Sequence, residues 1–119
     1  MRSFALFVFC AAIFPSAFAQ SQTVEIAKIQ TAKALAGTVV DPVDSVVQGV
    51  QVLEVSSDWQ TVLRITTTDS NGKWSLEPVP KQQVYYLRFV ANGFNPLQVR
   101  VRLNRTKGRE LRFKLPIAT

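Results

Sequence analysis

From Leu35 onward the chain alternates apolar and polar residues in short runs, each closed by a cluster of Asp, Asn, Gly or Pro. The runs are 35–40, 50–56, 61–68, 73–77, 84–91, 97–103 and 110–115. Alternation with period two is the mark of a half-buried strand, and regular turn signals between such runs predict an antiparallel sandwich or barrel. The separators include Asp69-Ser70-Asn71-Gly72, whose Asn-Gly pair suits the left-handed backbone of a tight hairpin. In 84–91, Tyr85, Leu87 and Phe89 share one face and Tyr86, Arg88 and Val90 the other. Val99, Val101 and Leu103 lie opposite Arg100 and Arg102, while Leu111, Phe113 and Leu115 lie opposite Arg112 and Lys114. Each apolar set predicts a core face. The expected fold is an all-β, seven-stranded antiparallel β-sandwich. Its expected core is Val39, Val52, Ile65, Trp74, Leu76, Tyr85, Leu87, Phe89, Val99, Val101, Leu111 and Phe113.

Two stretches are less regular. In 50–56, Val50, Val52 and Glu54 share one face and Leu53 and Val55 the other, which implies either cover on both faces or a bulge. In 20–33, Val24, Ile26 and Ile29 fit strand and helix spacing equally, so the segment reads as a lead-in or an added edge strand.

The first nineteen residues carry a different pattern. Arg2 precedes an apolar run from Phe4 to Phe14, Pro15-Ser16 breaks it, and Ala17-Phe18-Ala19 forms an A-x-A cleavage site before Gln20. The run is too short for a permanent span, large Phe9 before Cys10 disfavours a lipoprotein signal, and no later stretch reaches transmembrane length. The expected organisation is a signal peptide at 1–19, a lead-in at 20–33 and one domain at 34–119, secreted or periplasmic, with no stable membrane span after cleavage.

Composition removes whole classes of chemistry. The 119 residues are 47% hydrophobic and 18% charged, which suits a folded domain rather than a disordered chain. There is no histidine, and Cys10 is the one cysteine. A Ser-His-Asp triad, a Cys-His pair and a His-ligated zinc are therefore excluded, and the expected mature chain cannot form an internal disulfide. The acidic residues fall mostly in turns or at strand ends, and no pair is marked out for glycoside hydrolysis. Asp69–Gly72 holds a fragment of a calcium loop without the remaining ligands, so it reads as a turn. Asn104-Arg105-Thr106 is a sequon that matters only in a glycosylating source. The expectation is no enzyme, no cofactor and no metal.

The formal net charge is +6, and signal cleavage would remove Arg2 with one positive charge. Cations concentrate between Arg100 and Lys114, opposed there only by Glu110. If the last two runs pair as a hairpin with Leu103 opposite Leu111, Arg102 meets Arg112 and Arg100 meets Lys114 on one face. Like charges directly opposed destabilise a sheet, which predicts an anionic partner such as an acidic polysaccharide or envelope protein. The plainer reading is a solvated face with edge-protecting cations. Export argues against nucleic acid. Trp59, at the tip of 56–60, either stacks on a sugar or folds back as a lid on the core. Trp74 reads as core, and Tyr86 beside Arg88 as a second surface aromatic. The candidate ligand-binding residues are thus Trp59, Tyr86, Arg88, Arg100, Arg102, Arg112 and Lys114.

Three segments taken in order resemble the carboxypeptidase regulatory-like domain, of the transthyretin-like β-sandwich group. They are Gly37-Thr38-Val39 with Asp41, Gly49-Val50 and Val52; Thr68 to Leu76 with Gly72 and Trp74; and Tyr85, Leu87, Phe89, Ala91, Gly93 and Phe94. Two places depart from the family pattern: Val46-Val47 stands where Pro-Leu is frequent, and no Gly precedes Tyr85. The resemblance implies a seven-stranded sandwich without catalysis and a binding or scaffolding role. The enzymatic transthyretin relatives depend on histidines, which this chain lacks.

Overall fold

The structure is a computed structural model and describes residues 22–118; the expected signal peptide at 1–19 and its cleavage site lie outside the described residues. Seven strands form: β1 (Val24–Val40), β2 (Gln51–Val55), β3 (Val62–Thr67), β4 (Lys73–Ser75), β5 (Val84–Val90), β6 (Leu97–Leu103) and β7 (Arg109–Lys114). The fold is an all-β sandwich. One layer runs β3-β2-β5-β6 and ends on the first half of β1, and the second half of β1 lies between β4 and β7 in the other layer. Each residue of β5 and β6 keeps the face that alternation predicts, with Tyr85, Leu87, Phe89, Val99 and Val101 fully buried. Across the gap Phe89 meets Trp74 (centroids 5.6 Å, 70°) and Phe113 (5.2 Å). Offset and edge-on aromatic contacts of this kind add to the burial that joins the layers.

Within the 20–33 stretch, residues 24–33 take the strand alternative. β1 runs unbroken through the expected boundary at residue 34 and pairs with β6 over 24–32. Its pairings with β6 and β7 are parallel, so the sandwich is mixed rather than antiparallel throughout. Alternation reports which face a residue takes, not the direction of the neighbouring strand.

The expected hairpin between the last two strands does not form. β6 ends beside Ala32 and β7 begins there, so the two lie end to end along β1 in different layers. The 104–108 loop makes this passage. Asn104 Oδ1 accepts from the N–H groups of Thr106 (3.1 Å) and Lys107 (3.0 Å), and the Asn104 N–H donates to the Ala32 carbonyl at 2.8 Å. A Cβ on Gly108 would lie 2.2 Å from the Ala32 carbonyl carbon, so only glycine fits where the chain crosses β1.

A further correction concerns β3. Ile65 is 58% exposed rather than core. It pairs with Leu53 on the outer face, while Glu54 and Arg64 pair on the inner one. Glu54 is 2% exposed, and Arg64 Nε reaches its Oε1 at 2.6 Å. Arg64 also donates to the Glu77 carbonyl at 2.7 Å, and Gln82 to Glu54 Oε2 at 3.3 Å. Both explanations offered for the irregular 50–56 run hold. The register shifts between Glu54 and Val55, and Val55 is buried opposite Tyr86 on the outer face. The Asp69–Gly72 turn forms as expected. Gly72 has φ 72°, and Asp69 Oδ1 accepts from the N–H groups of Asn71 (2.8 Å) and Lys73 (3.0 Å).

Candidate functional site: the outer face of the larger layer

Because Tyr85, Leu87 and Phe89 turn inward, β5 must present Tyr86 and Arg88 outward, and β6 presents Gln98, Arg100 and Arg102 by the same rule. Register sets them side by side: Tyr86 against Arg100, Arg88 against Gln98, and Val84 against Arg102. β2 adds Leu53 beside Arg88 and Val55 beside Tyr86, and β1 adds Glu25 and Thr31 along β6.

The loop between β2 and β3 folds onto this face. Asp58 Oδ1 accepts from Ser56 Oγ (2.5 Å) and from the Gln60 N–H (3.0 Å), and these two bonds hold its carboxyl below the usual value. The Trp59 N–H donates to the Ser56 carbonyl at 2.8 Å, and Trp59 takes φ 67°. A positive φ is uncommon for a bulky residue and persists only where surrounding contacts fix it. Two contacts do so here. The indole stands edge-on to Tyr86 (centroids 5.3 Å, 84°), and Arg88 Nη2 donates to the Trp59 carbonyl at 2.9 Å. Trp59 is therefore half-buried on the outer face and is not a lid on the core. Arg88 acts as a pin. Gln98, with its amide oxygen turned toward the guanidinium, accepts from Arg88 Nε and Nη2 at 2.9 and 2.8 Å.

The two arginines of β6 differ. Arg100 donates to the Ala27 carbonyl within the register shift of β1 between Ile26 and Gln30, and is partly structural. Arg102 is exposed and has no side-chain hydrogen bond or ion pair among the described residues.

Arg112 and Lys114 do not join this surface. They project from β7 on the opposite side of the sandwich, because Leu111 and Phe113 point inward from the other layer. Each lies 3.4 Å from Asp44 Oδ1. Lys114 above all, then Arg112, holds the Asp44 carboxyl below its usual value. The single basic strip expected from sequence is thus two separate patches, and the β7 patch carries its own counter-charge. Gln98 and the Ser56–Asp58 turn were not legible as site elements. The one sequence signal for the turn was the Ser-Ser-Asp cluster before Trp59.

A family model for the carboxypeptidase regulatory-like domain matches residues 34–116. No curated protein matches the chain. The matched span holds β2 to β7 and the second half of β1, and with them every aromatic and basic residue of the outer face.

Proposed function

Because the chain belongs to the carboxypeptidase regulatory-like domain family, we propose that it is a non-enzymatic interaction or scaffolding module of the cell envelope, exported by a cleavable signal. Members of this family are non-catalytic. The chain also has no histidine, and its one cysteine, Cys10, falls within the expected signal, so the commonest nucleophilic and metal sites have no residues to build them in the mature domain. The binding surface is the outer face of the larger layer. One observation carries this reading: Arg102 stands uncompensated on the same face as a Trp59–Tyr86 pair whose geometry is fixed by Arg88. A fixed aromatic edge on the same face as a free guanidinium group suits an anionic polymer, since an arginine fork matches carboxylate or sulfate oxygens and an indole offers apolar area.

The carbohydrate alternative is favoured by the position of Trp59, which could stack on a sugar ring while Arg100 and Arg102 meet its acidic substituents. Titration of the chain with an acidic polysaccharide, followed by calorimetry and by tryptophan fluorescence compared with that of Trp59→Ala, tests both readings. Binding should weaken steeply with salt, because exposed charges are screened over about 10 Å at 0.1 M. A Trp59→Ala loss as large as that of Arg102→Ser supports the sugar-stacking form. Absence of binding to any acidic polysaccharide or acidic protein at low salt defeats the proposal.

A further inference from the structure

Among the described residues the sandwich has four strand edges with no further strand paired to them, and three of these are guarded. β4 has three residues and is followed by Pro78 and Pro80; β7 carries four charged residues; the first half of β1 carries Glu25 and Lys28 and a register shift. Charges, prolines, short strands and bulges are the usual means of preventing strand addition. β3 is the exception. It ends its layer, and Val62, Leu63 and Ile65 are 45%, 54% and 58% exposed. Its one charge, Arg64, is turned inward onto Glu54 and the Glu77 carbonyl.

The phase of the ladder is also fixed. The Thr68 N–H donates to the Val50 carbonyl at 3.0 Å, and the register continues as Thr66 with Val52 and Arg64 with Glu54. In an antiparallel ladder every second residue bonds to the neighbouring strand. Ile65 and Thr67 therefore direct their N–H and C=O groups away from β2, into solvent.

We propose that β3 is a self-association edge, through which two copies of this chain pair antiparallel about a twofold axis at Ile65. The occupant is a second copy because the edge is self-complementary in that register. Ile65 meets Ile65 of the second copy, Arg64 meets Thr66, and Leu63 meets Thr67, so apolar and β-branched side chains face each other and no cation opposes a cation. Leu63, left without a partner on β2 by the register shift, is free to cover Thr67 of the second copy. The net positive charge of the chain does not oppose this pairing. β6 lies three strands from β3, so the Arg102 side chains of the two copies stand about seven strand spacings, roughly 34 Å, apart. That is several times the screening length of about 10 Å at 0.1 M salt. The pairing joins the two larger layers into one continuous sheet, which brings both outer faces to the same side.

Sedimentation velocity of the full chain from micromolar to millimolar concentration should show a monomer–dimer equilibrium. Ile65→Lys, which restores an edge guard, should weaken dimerisation at least roughly tenfold. It should leave the far-UV spectrum and urea midpoint unchanged, because the side chain is exposed, and Ile65→Val should keep the dimer. Hydrogen-bonded antiparallel partners have Cα atoms about 5.5 Å apart, within disulfide reach. In a Cys10→Ser background, Ile65→Cys should therefore oxidise to a covalent dimer, while Ile117→Cys, at a position 57% exposed, should not. A chain that stays monomeric throughout, an Ile65→Lys variant that dimerises as the parent does, or equal cross-linking of the two cysteines overturns the proposal. A monomer that takes up a strand of a different protein on β3 overturns it as well.

Discussion

Arg64→Ala tests the least expected feature of the core, a carboxylate on its inner face. Glu54 has a side chain 3% exposed, and its main partner is the Arg64 guanidinium at 2.6 Å. Removing one member of a buried ion pair costs roughly 3–5 kcal/mol, because the other is left uncompensated. Two features place this case at the lower end, about 3 kcal/mol. Gln82 still donates to Oε2, and the Arg64 side chain is 31% exposed, so its removal lets water approach. A domain of this size is stable by about 5–15 kcal/mol, so the loss is a fifth or more of the total. At about 4–8 °C per kcal/mol, Tm should fall by some 12–24 °C. Urea unfolding followed by circular dichroism measures the change directly, with an unchanged slope showing that the transition remains two-state. Lys33→Ala is the control. Its pair with Glu110 spans 3.4 Å with side chains 53% and 84% exposed, and such pairs contribute about 0–1 kcal/mol. If Arg64→Ala costs no more than Lys33→Ala, the inward pair does not hold this edge together.

Three further outcomes follow from the packing. Gly108→Ala places a Cβ 2.2 Å from the Ala32 backbone and should lower the urea midpoint by more than Gly49→Ala, where the space is open and only the positive φ of 82° is strained; an equal loss would show that the crossing over β1 is not tight. Leu87→Ala should cost about 2–5 kcal/mol as a cavity in a fully buried site, whereas Ile65→Ser should stay within about 0.5 kcal/mol; comparable losses would mean that the face assignment of β3 is wrong. Asp69 is held below its ordinary value of 3.8, chiefly by the Lys73 N–H and then by the Asn71 N–H. A depressed carboxyl contributes stability that is present above the unfolded pKa and lost as pH falls through the folded one. Urea midpoints should therefore decline below about pH 4, less steeply in Asp69→Asn, and a flat profile down to pH 2 would contradict this.

Face was legible in the sequence, and neighbourhood was not. The alternation of Tyr85 to Val90 and of Val99 to Leu103 assigned each of those side chains to the face it takes, because period two is a local property of a strand. Whether β6 and β7 form a hairpin depends on which strand lies between or beside them, and five loop residues permit either a turn back or a passage onward. Arg112 and Lys114 went to the wrong surface for that reason alone. Ile65 failed differently. Hydrophobicity placed it inside, but Glu54 in phase with Val52 turned its partner Arg64 inward and left Ile65 outside. The shared face of Val50, Val52 and Glu54 was the visible sign of a buried carboxylate. Trp59 was correctly seen as a loop residue, but its landing place required Arg88, 29 residues away, to bond its carbonyl.

The proposed anion-binding surface is the outer face of the larger layer and not the β7 patch. The direct measurement is the affinity of the full chain for one acidic polysaccharide at low salt, compared between Arg100→Ser/Arg102→Ser and Arg112→Ser/Lys114→Ser, with folding of each checked by urea midpoint. The first pair should lose most of the binding. The second should lose less, because Asp44 already offsets half of its charge. Equal losses would mean that binding follows net charge alone, and a larger loss from the second pair would place the surface on the opposite side of the sandwich.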